Sequence, residues 1–231
     1  MDKDFSYTGR DNLAIMEKAV NYNGFLLNQL CRHVKKDDRI LDFGSGNGMF
    51  ARSLAQKGYR IHCIEPDKEQ ASIVSSCGLS VSSSLSDIED SSISFIYSLN
   101  VLEHIEDDTA ILGEFYRKLS HGGKVLLYVP AFQSLYSSMD KKVGHYRRYG
   151  RRELAKKMKS VGFEIAQNSY VDSLGFFVTR LYQKFGDNAG NLNPQIILVY
   201  DRLLFPVSRF LDFLFSRFFG KNVLILGMRK T

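Results

Sequence analysis

The stretch that decides the fold is Ile40-Leu41-Asp42-Phe43-Gly44-Ser45-Gly46-Asn47-Gly48. Its apolar beginning predicts a strand, and its glycines turn the chain into a helix at 49–57. Glycine has no Cβ, so such a turn can adopt backbone angles that other residues avoid and can let a ligand approach the backbone. The helix after the turn offers its free N–H groups to that ligand. The stretch therefore predicts a strand, a turn and a helix arranged around a small molecule.

Strands and helices alternate on both sides of this stretch. Apolar residues at helical spacing predict a helix over 11–34 with a bend at Gly24. Further helices are predicted at 68–77, 109–119 and 151–161, a turn at 121–123, and further strands at 59–65, 79–82, 93–99, 124–129, 163–170 and 223–228. The strand at 93–99 is apolar almost throughout, as expected where helices cover both faces of a sheet. The order predicts an α/β fold with a mainly parallel sheet and helices on both faces.

Residues 172–220, before the last strand, form a longer segment than a simple connection needs. Apolar residues from Ile196 to Phe218 recur at helical spacing, and Pro206 is expected to kink or split this helix. Charged residues such as Asp201 and Asp212 interrupt the apolar run and argue against a transmembrane span. Two interpretations stay open. The segment is a helical cover over a substrate pocket or a homodimer face, or its residues 196–219 contact a membrane surface to reach a lipid-linked acceptor.

Length and composition predict a single domain over 1–231. Of the 231 residues, 44% are hydrophobic and 24% are charged, which is an ordinary balance for a globular protein. The net charge of +6 comes largely from basic residues between 141 and 159, which form either a solvated face or a site for a phosphate or carboxylate. The cysteines have neither disulfide-framework nor metal-ligand spacing, and no signal peptide is evident. These features predict a cytoplasmic protein without a metal site.

A carboxylate at the end of the second strand defines the ligand more closely. Glu65 follows Gly44 by about twenty residues, where a carboxylate can accept both hydroxyl protons of a ribose. A dinucleotide-binding turn has its third glycine three positions after the second, and this chain has Met49 there. Asp42, just before the turn, suits a ligand with a positive amino group better than a pyrophosphate. A ligand with a ribose and a positive amino group is therefore favoured, and a dinucleotide-dependent oxidoreductase stays the alternative.

Two segments resemble one family. The stretch from Asp42 to Gly48, together with Glu65-Pro66-Asp67, resembles the cofactor site of class I S-adenosylmethionine-dependent methyltransferases. The segment Asn100-Val-Leu-Glu-His-Ile105 resembles the one that follows the fourth strand in the branch of methyltransferase types 11 and 12. The resemblance covers 30–163, over half of the chain. It implies a Rossmann-like sheet of seven strands, the last of them antiparallel at 223–228, with S-adenosylmethionine as the cofactor.

The resemblance also implies which residues hold S-adenosylmethionine. Each part of the cofactor would have its own set of contacts along the carboxyl edge of the sheet. The implied residues are Asp42, Gly44, Ser45, Gly46 and Gly48 for the methionine end, Glu65 and Pro66 for the ribose, Ser84 and Leu85 for the adenine, and Asn100 for the sulfonium.

Methyl transfer needs an acceptor atom held in line with the sulfonium methyl, and an acceptor that carries a proton also needs a base. Two histidines are candidates for this base. His104 lies in the segment after the fourth strand, where hydrogen bonding within the loop is an equal alternative. His145 lies in the loop between the fifth strand and the next helix, at the carboxyl ends of the strands, where ligands gather in this architecture.

The loop around His145 also supplies the predicted substrate-binding residues. Arg147 and Arg148 can form a fork around a carboxylate or phosphate, and Tyr146 and Tyr149 can wall a ring. The alternative is that this run of residues braces the loop.

The same reasoning limits the acceptor. Asn100-Val-Leu-Glu stands where amino-methyltransferases that modify bases have Asn-Pro-Pro-Tyr, so a DNA acceptor is not expected and an RNA acceptor is disfavoured. The predicted function is methyl transfer to a small-molecule or lipid-linked acceptor, which can be anionic, at oxygen rather than nitrogen or carbon. A non-catalytic S-adenosylmethionine-binding protein is a further alternative.

Overall fold

In the computed structural model, which describes residues 9–185, 190 and 193–230, seven strands form one sheet. They are β1 Arg39–Phe43, β2 Arg60–Ile64, β3 Ser80–Ser82, β4 Ile93–Leu99, β5 Leu119–Pro130, β6 Glu164–Val171 and β7 Asn222–Met228. They lie in the order β3-β2-β1-β4-β5-β7-β6. Pairs from β3 to β5 are parallel, whereas β7 is antiparallel to both β5 and β6. The predicted Rossmann-like, mainly parallel sheet with an antiparallel last strand is confirmed.

Helices connect the strands largely as predicted. They are α1 Arg10–Met16, α2 Val20–Cys31, α3 Met49–Gln56, α4 Lys68–Ser76, α5 Asp108–Lys118, α6 Ser138–Val143, α7 Arg151–Ser160, α8 Ser173–Phe185, α9 Pro194–Val199 and α10 Phe205–Phe215. The single helix predicted over 11–34 is wrong, because two helices form, with the interruption between Met16 and Val20 and not at Gly24. The side-chain amide of Asn23 donates to the backbone oxygens of Met16 and Glu17 at 2.9 and 3.1 Å. These bonds satisfy carbonyls that the end of α1 leaves open.

Two further local predictions differ from the structure. The turn predicted at 121–123 is wrong, because β5 begins at Leu119 and runs through these residues. The register between β4 and β5 shifts at Ile93, so a bulge absorbs the glycine pair. Helix α6 was not predicted, since it is short and depends on a capping box between Ser137 and Asp140.

Alternate residues of each strand contribute to two separate cores, because successive side chains point to opposite faces of a sheet. Helices α5 and α7 cover one face, and α2 and α3 cover the other. The first core includes Leu41, Ile96, Leu127, Ile225, Phe115 and Leu154, and the second includes Ile40, Phe95, Leu126, Leu224, Leu30 and Leu54. Helices on both faces are therefore confirmed.

The parallel part of the sheet places the predicted cofactor residues at one edge. Strand β1 lies between β2 and β4, and all three run in the same direction. The glycine turn after β1, Glu65 after β2 and Asn100 after β4 therefore leave the sheet side by side. This is the edge at which open α/β sheets bind ligands.

The segment between β6 and β7 is helical in its described residues, as predicted. Helix α9 leads through a π-helical turn, Tyr200–Leu204, into α10, and Pro206 lies in the first turn of α10. Proline has no N–H to donate to the preceding turn, and the π-helical turn directly before α10 is the distortion found there; the backbone stays helical from α9 into α10. Among the described residues, every helix is too short or too polar to cross a membrane.

Two aspartates of this segment, Asp201 and Asp212, are buried. The carboxylate of Asp201 accepts hydrogen bonds from the backbone N–H groups of Asn21 and Tyr22, at 3.0 and 2.8 Å. The carboxylate of Asp212 accepts from the backbone N–H groups of Asp172 and Ser173, both at 2.8 Å. These buried carboxylates attach the helical segment to α2 and to the residues that follow β6, and much of the apolar stripe is left on the outside.

Candidate active site

One cavity joins the predicted cofactor residues to the predicted catalytic histidines. It has a volume of about 310 Å³ and lies at the carboxyl ends of β1, β2 and β4. A concave site of this kind, with several polar groups converging in it, is where small molecules usually bind. The predicted residues that line it are Asp42, Gly44, Ser45, Gly46, Glu65, Pro66, Asn100, His104, His145 and Arg148.

The glycine turn adopts backbone angles that favour glycine. Gly44, Gly46 and Gly48 have φ values of +76°, +53° and +78°, in the left-handed region. A Cβ on Gly44 would lie 2.5 Å from a methyl carbon of Val101, so this position has no room for a side chain. Gly48 does not line the cavity but is the residue before α3. The turn thus exposes backbone to the cavity and starts the helix.

The carboxylate of Glu65 is fixed by the backbone at the edge of the cavity. One oxygen accepts from the N–H of Gly46 at 2.7 Å, and the other from the N–H of Asp67 at 3.0 Å. Burial raises the pKa of Glu65 above its ordinary value. Each carboxylate oxygen can accept a second hydrogen bond, so Glu65 retains capacity for the two hydroxyl groups of a ribose.

Asp42 is the buried carboxyl group that faces the same cavity. Burial, with a smaller contribution from the nearby charge of Glu65, raises the pKa of Asp42 to about 7. A buried carboxylate is expensive unless an opposite charge or hydrogen-bond donors compensate it. A ligand ammonium group at this position would restore the charged form of Asp42.

Asn100 is held in an unusual conformation where β4 ends. Its φ is +56°, and a non-glycine residue in this region is worth attention because such strain is often found at functional sites. Its N–H donates to the backbone oxygen of Tyr128 at 2.7 Å, and its amide nitrogen donates to the hydroxyl of Tyr22 at 3.3 Å. Tyr22 also lines the cavity, although the sequence analysis did not identify it.

The two residues expected at the adenine do not line the cavity. Leu85 is buried in the core beside Ile88, and the hydroxyl of the exposed Ser84 accepts from the N–H of Ser86 at 3.2 Å. The side chains are directed inward and along the chain because a 3₁₀ turn, Leu85–Asp87, follows β3 directly. The structure therefore does not bring Ser84 and Leu85 to the other cofactor residues.

His145 is oriented by a buried carboxylate. Its Nδ1 lies 2.7 Å from Oδ1 of Asp140, and Asp140 also accepts from Nε and Nη2 of Arg148 at 2.8 and 2.9 Å. Burial alone would raise the pKa of Asp140, but the hydrogen bonds from His145 and Arg148 hold it well below its ordinary value. A charged Asp140 places the proton of the neutral imidazole on Nδ1. Nε2 then carries a lone pair.

Glu103 and His104 complete the wall of the cavity around His145. Nε2 of His145 lies 3.8 Å from Oε1 of Glu103, and the rings of His104 and His145 meet edge to face at 4.5 Å between centroids. Burial lowers the pKa of His104 to about 4, and burial raises the pKa of Glu103 to about 8. Neither oxygen of Glu103 has a hydrogen-bond partner from another described residue. Sequence analysis missed Glu103 and Asp140 as site residues, although Glu103 stands directly before a predicted one.

The predicted substrate-binding residues divide into two groups. Arg148 is buried and lines the cavity, whereas Tyr146, Arg147 and Tyr149 do not line it. Arg147 lies 3.1 Å from the carboxylate of Asp108, and the buried Tyr149 donates its hydroxyl to the same carboxylate at 2.9 Å. Tyr146 is 54% exposed. These three residues brace the loop or face outward, so the structure favours the bracing alternative for them.

A lysine that the sequence analysis did not identify also reaches the cavity. Lys221 lies between the helical segment and β7 and lines the cavity together with Arg148. Burial lowers the pKa of Lys221 below its ordinary value. Within the part of the chain that the structure describes, its ammonium forms no ion pair, and Nη1 of Arg148 has no hydrogen-bond partner. Both groups can therefore attract an anionic ligand.

Comparison with known proteins assigns the family. The sequence profile of the family described as Methyltransferase domain matches residues 18–168, more than half of the chain. The malonyl-[acyl-carrier protein] O-methyltransferase of Hamiltonella defensa is 29% identical over 130 residues, which cover 54% of this chain and 49% of that protein. The ubiquinone biosynthesis O-methyltransferase of Xanthomonas oryzae is 30% identical over 99 residues, which cover 38% and 41%. The chain spans less than half the length of these relatives.

A solved structure shares the fold. The phosphoethanolamine N-methyltransferase 2 of Haemonchus contortus, in complex with S-adenosyl-L-methionine, superposes with a TM-score of 0.59 at 19% identity. The match covers 87% of this chain and 51% of that one. A dinucleotide-dependent oxidoreductase is not supported by these matches. The chain belongs to the methyltransferase domain family.

Proposed function

We propose that this methyltransferase acts on an oxygen of a small-molecule or lipid-linked acceptor that carries an anionic group. The observation that carries the proposal is the position of His145. His145 lines the cavity that also contains the glycine turn and Glu65, and its Nε2 lies 3.8 Å from Oε1 of Glu103, another residue of the cavity wall. Both curated relatives are O-methyltransferases, which supports oxygen as the methylated atom.

The proposed reaction uses His145 as a general base. Asp42, Glu65 and Asn100 line the same cavity, where Asp42 would hold the ammonium group of S-adenosylmethionine, Glu65 would hold its ribose, and Asn100 would contact the sulfonium end. The acceptor hydroxyl gives its proton to Nε2 of His145 while its oxygen bonds to the methyl carbon and the carbon–sulfur bond breaks. Positioning can lower the barrier by about 7–11 kcal/mol, and a base contributes about 10²–10⁴-fold. The charge on Asp140 stabilises the imidazolium that forms.

The anionic character of the acceptor follows from Arg148 and Lys221. Asp140 takes up two of the donors of Arg148, and Nη1 remains for a ligand. Lys221 contributes a half-buried side chain to the same cavity, and burial lowers the pKa of its ammonium. A carboxylate or phosphate near these groups would be paired with a charge that the protein has already desolvated, and hydrogen bonds between charged groups are the strong ones.

The test separates turnover from cofactor binding. His145→Ala is expected to lower methyl transfer about 10²–10⁴-fold and to leave the affinity for S-adenosylmethionine within a few-fold, as measured by calorimetry. Transfer is followed with methyl-labelled cofactor and a panel of phenols, carboxylic acids and phosphomonoesters of graded chain length. His121→Ala, which changes a histidine that lies far from the cavity, is the matched control. An equal loss of turnover and affinity would refute the role of His145. Tight binding without transfer to any member of the panel would favour the non-catalytic alternative.

We also propose that the helical segment belongs to the same single domain, 1–231, and that its outer face contacts an anionic membrane. Large apolar side chains are exposed on α8 and α10 and just beyond, among them Phe213 at 90% and Phe210 at 76%. Within the described residues of 173–218, the exposed charged side chains are Arg180, Lys184, Arg202 and Arg217. Such a combination of aromatic and basic groups is typical of surfaces that lie at a bilayer interface.

Vesicle binding tests this surface. The protein is expected to sediment with vesicles that contain phosphatidylglycerol, less with phosphatidylcholine alone, and less at high salt because exposed charges are screened. Phe210→Ser combined with Phe213→Ser should abolish sedimentation, whereas Ile73→Ser, a change at an exposed apolar residue on α4, should not. Absence of binding at low salt would overturn the membrane proposal. A dimer in solution that the double substitution dissociates would assign the face to a second copy of the chain.

A further inference from the structure

Three atoms that could each bind a metal ion lie close together in the wall of the cavity. They come from the carboxylate of Glu103 and the rings of His104 and His145, and all lie within 4.8 Å of one another. Nε2 of His145 is 3.8 Å from Oε1 of Glu103. That distance is too long for a hydrogen bond, so a shared proton does not account for the arrangement.

Each histidine has a partner that fixes its ring. Nδ1 of His145 is paired with Asp140 at 2.7 Å, which leaves the lone pair of Nε2 directed towards Glu103. His104 hydrogen-bonds with the backbone of Gly144 and Val143. Histidines that ligate metals commonly have their second nitrogen held in this way, by a carboxylate or a backbone carbonyl.

The carboxylate of Glu103 provides the independent observation. Its side chain is completely buried, and both oxygens lack a hydrogen-bond partner from any other described residue. Leaving such a group uncompensated is costly, and native proteins rarely do so without a reason. The buried Arg148 donates its Nε and Nη2 to Asp140 and gives no hydrogen bond to Glu103.

We infer that Glu103, His104 and His145 bind a divalent metal ion of the zinc type. Two imidazoles and a carboxylate form a donor set that suits Zn²⁺ and Co²⁺. Bonds of about 2.0–2.1 Å at tetrahedral angles place ligand atoms about 3.3 Å apart. Small side-chain rotations that draw the three atoms together by about an ångström would reach this geometry. Three protein ligands leave a fourth position for a ligand from the cavity, as in catalytic zinc sites.

The role of the metal rests on the proposed function in one respect, namely that the acceptor is a hydroxyl. Such a hydroxyl would replace a water on the metal and lose its proton to the solvent, since a bound cation acidifies its ligands. The resulting alkoxide would then attack the methyl carbon as the carbon–sulfur bond breaks. In such a reaction the metal, and not the lone pair of Nε2, would promote loss of the hydroxyl proton, and His145 would act as a metal ligand.

Metal binding is tested without cofactor or acceptor. Tag-free protein treated with EDTA and then dialysed is titrated with Co²⁺, whose visible absorption reports tetrahedral coordination, and Zn²⁺ is added in competition. One Co²⁺ per chain is expected, with displacement by Zn²⁺. The affinity should fall at least about 100-fold in Glu103→Gln and in His145→Ala, and Glu103→Asp should restore part of it. His121→Ala is again the control, and circular dichroism confirms that each variant is folded.

The outcomes separate this inference from the proposed function. Equal Co²⁺ affinity in the wild type and in folded Glu103→Gln would overturn the metal site, as would a spectrum of octahedral Co²⁺ alone. If methyl transfer persists in EDTA but is lost in His145→Ala, the base stands and the metal does not. If one Co²⁺ binds through these residues but no hydroxyl acceptor is methylated, the site stands and the proposed acceptor does not.

Discussion

Binding of S-adenosylmethionine is expected to release a proton from Asp42. Burial raises the pKa of this carboxyl group to about 7 in the protein without ligand. The ammonium group of the cofactor, once in contact, should lower the pKa of Asp42 by about 1–3, as a neighbouring opposite charge does. With a pKa of about 5 in the complex, binding at pH 6 would release roughly 0.8 proton, and binding at pH 8 roughly 0.1.

The affinity for S-adenosylmethionine should depend on pH because of the same shift in the pKa of Asp42. The complex holds fewer protons than the free protein between pH 5 and pH 7, so the affinity rises as the pH rises through this window. The full gain is about 2.7 kcal/mol, or roughly 100-fold, if the pKa of Asp42 falls by about 2. Above pH 7 the affinity should level off, until the ammonium of the cofactor itself begins to lose its proton near pH 8.

Calorimetry in buffers with different ionisation enthalpies counts the released protons directly. The heat of binding at pH 6 should depend on the buffer, and at pH 7.5 much less so. Asp42→Asn should bind weakly and release no proton. Glu65→Gln is the matched control, because it weakens the contact to the ribose and should retain most of the release. A heat that is independent of the buffer at pH 6, with a flat affinity, would refute the pairing of Asp42 with the ammonium.

Three further substitutions have definite expected outcomes. In the ligand-free protein, Asp42→Asn should raise the free energy of unfolding at pH 8 by on the order of 2–4 kcal/mol and change it little at pH 4. The reason is that a carboxyl group whose pKa is raised by folding lowers stability as the pH rises. Thermal unfolding at both pH values checks this. Tyr149→Phe should lower the free energy of unfolding by about 1–3 kcal/mol, because the carboxylate of Asp108 loses a hydrogen-bond donor. The KM for the methyl acceptor should not change. A raised KM at unchanged stability would instead support a role of Tyr149 in substrate binding. Gly44→Ala should lower the free energy of unfolding, measured with denaturant, by about 2–5 kcal/mol. The control is Gly78→Ala, which has a similar φ of +77° but open space around it and should lower the same free energy by about 1–2 kcal/mol. Equal losses would show that the close contact at Gly44 is irrelevant.

The sequence predicts the cofactor half of the site because that half is built from strand ends. Asp42, Glu65 and Asn100 each lie at or just beyond the end of an apolar strand. The rules for parallel sheets then bring these ends together at one edge. Local patterns are sufficient to place each residue at a strand end, because each strand and its turn are short in sequence. The positions of β2 and β4 on either side of β1 agree with the Rossmann-like sheet that the family resemblance implies.

The acceptor half depends on contacts that have no local signal. Asp140 lies on a six-residue helix and matters because its side chain meets His145. Lys221 and Tyr22 come from opposite ends of the chain and meet in the cavity only after the sheet has formed. Within the loop, Arg148 turns inward and Arg147 outward, so a run of similar residues does not reveal which of them reaches the ligand.

The helical segment illustrates the same limit for a surface. An apolar stripe at helical spacing normally faces a core, but here buried Asp201 and Asp212 each satisfy two backbone N–H groups, and hydrogen bonds of this charged kind contribute about 1.5–3 kcal/mol. These bonds fix which side of the helices faces the rest of the domain, so the side that carries Phe210 and Phe213 remains exposed. At α9 the cavity wall and this outer face adjoin, because Ile197 lines the cavity and Ile196 is 62% exposed. A bilayer on the outer face would therefore lie next to the acceptor cavity, and this adjacency favours an acceptor that stays attached to its lipid while it is methylated.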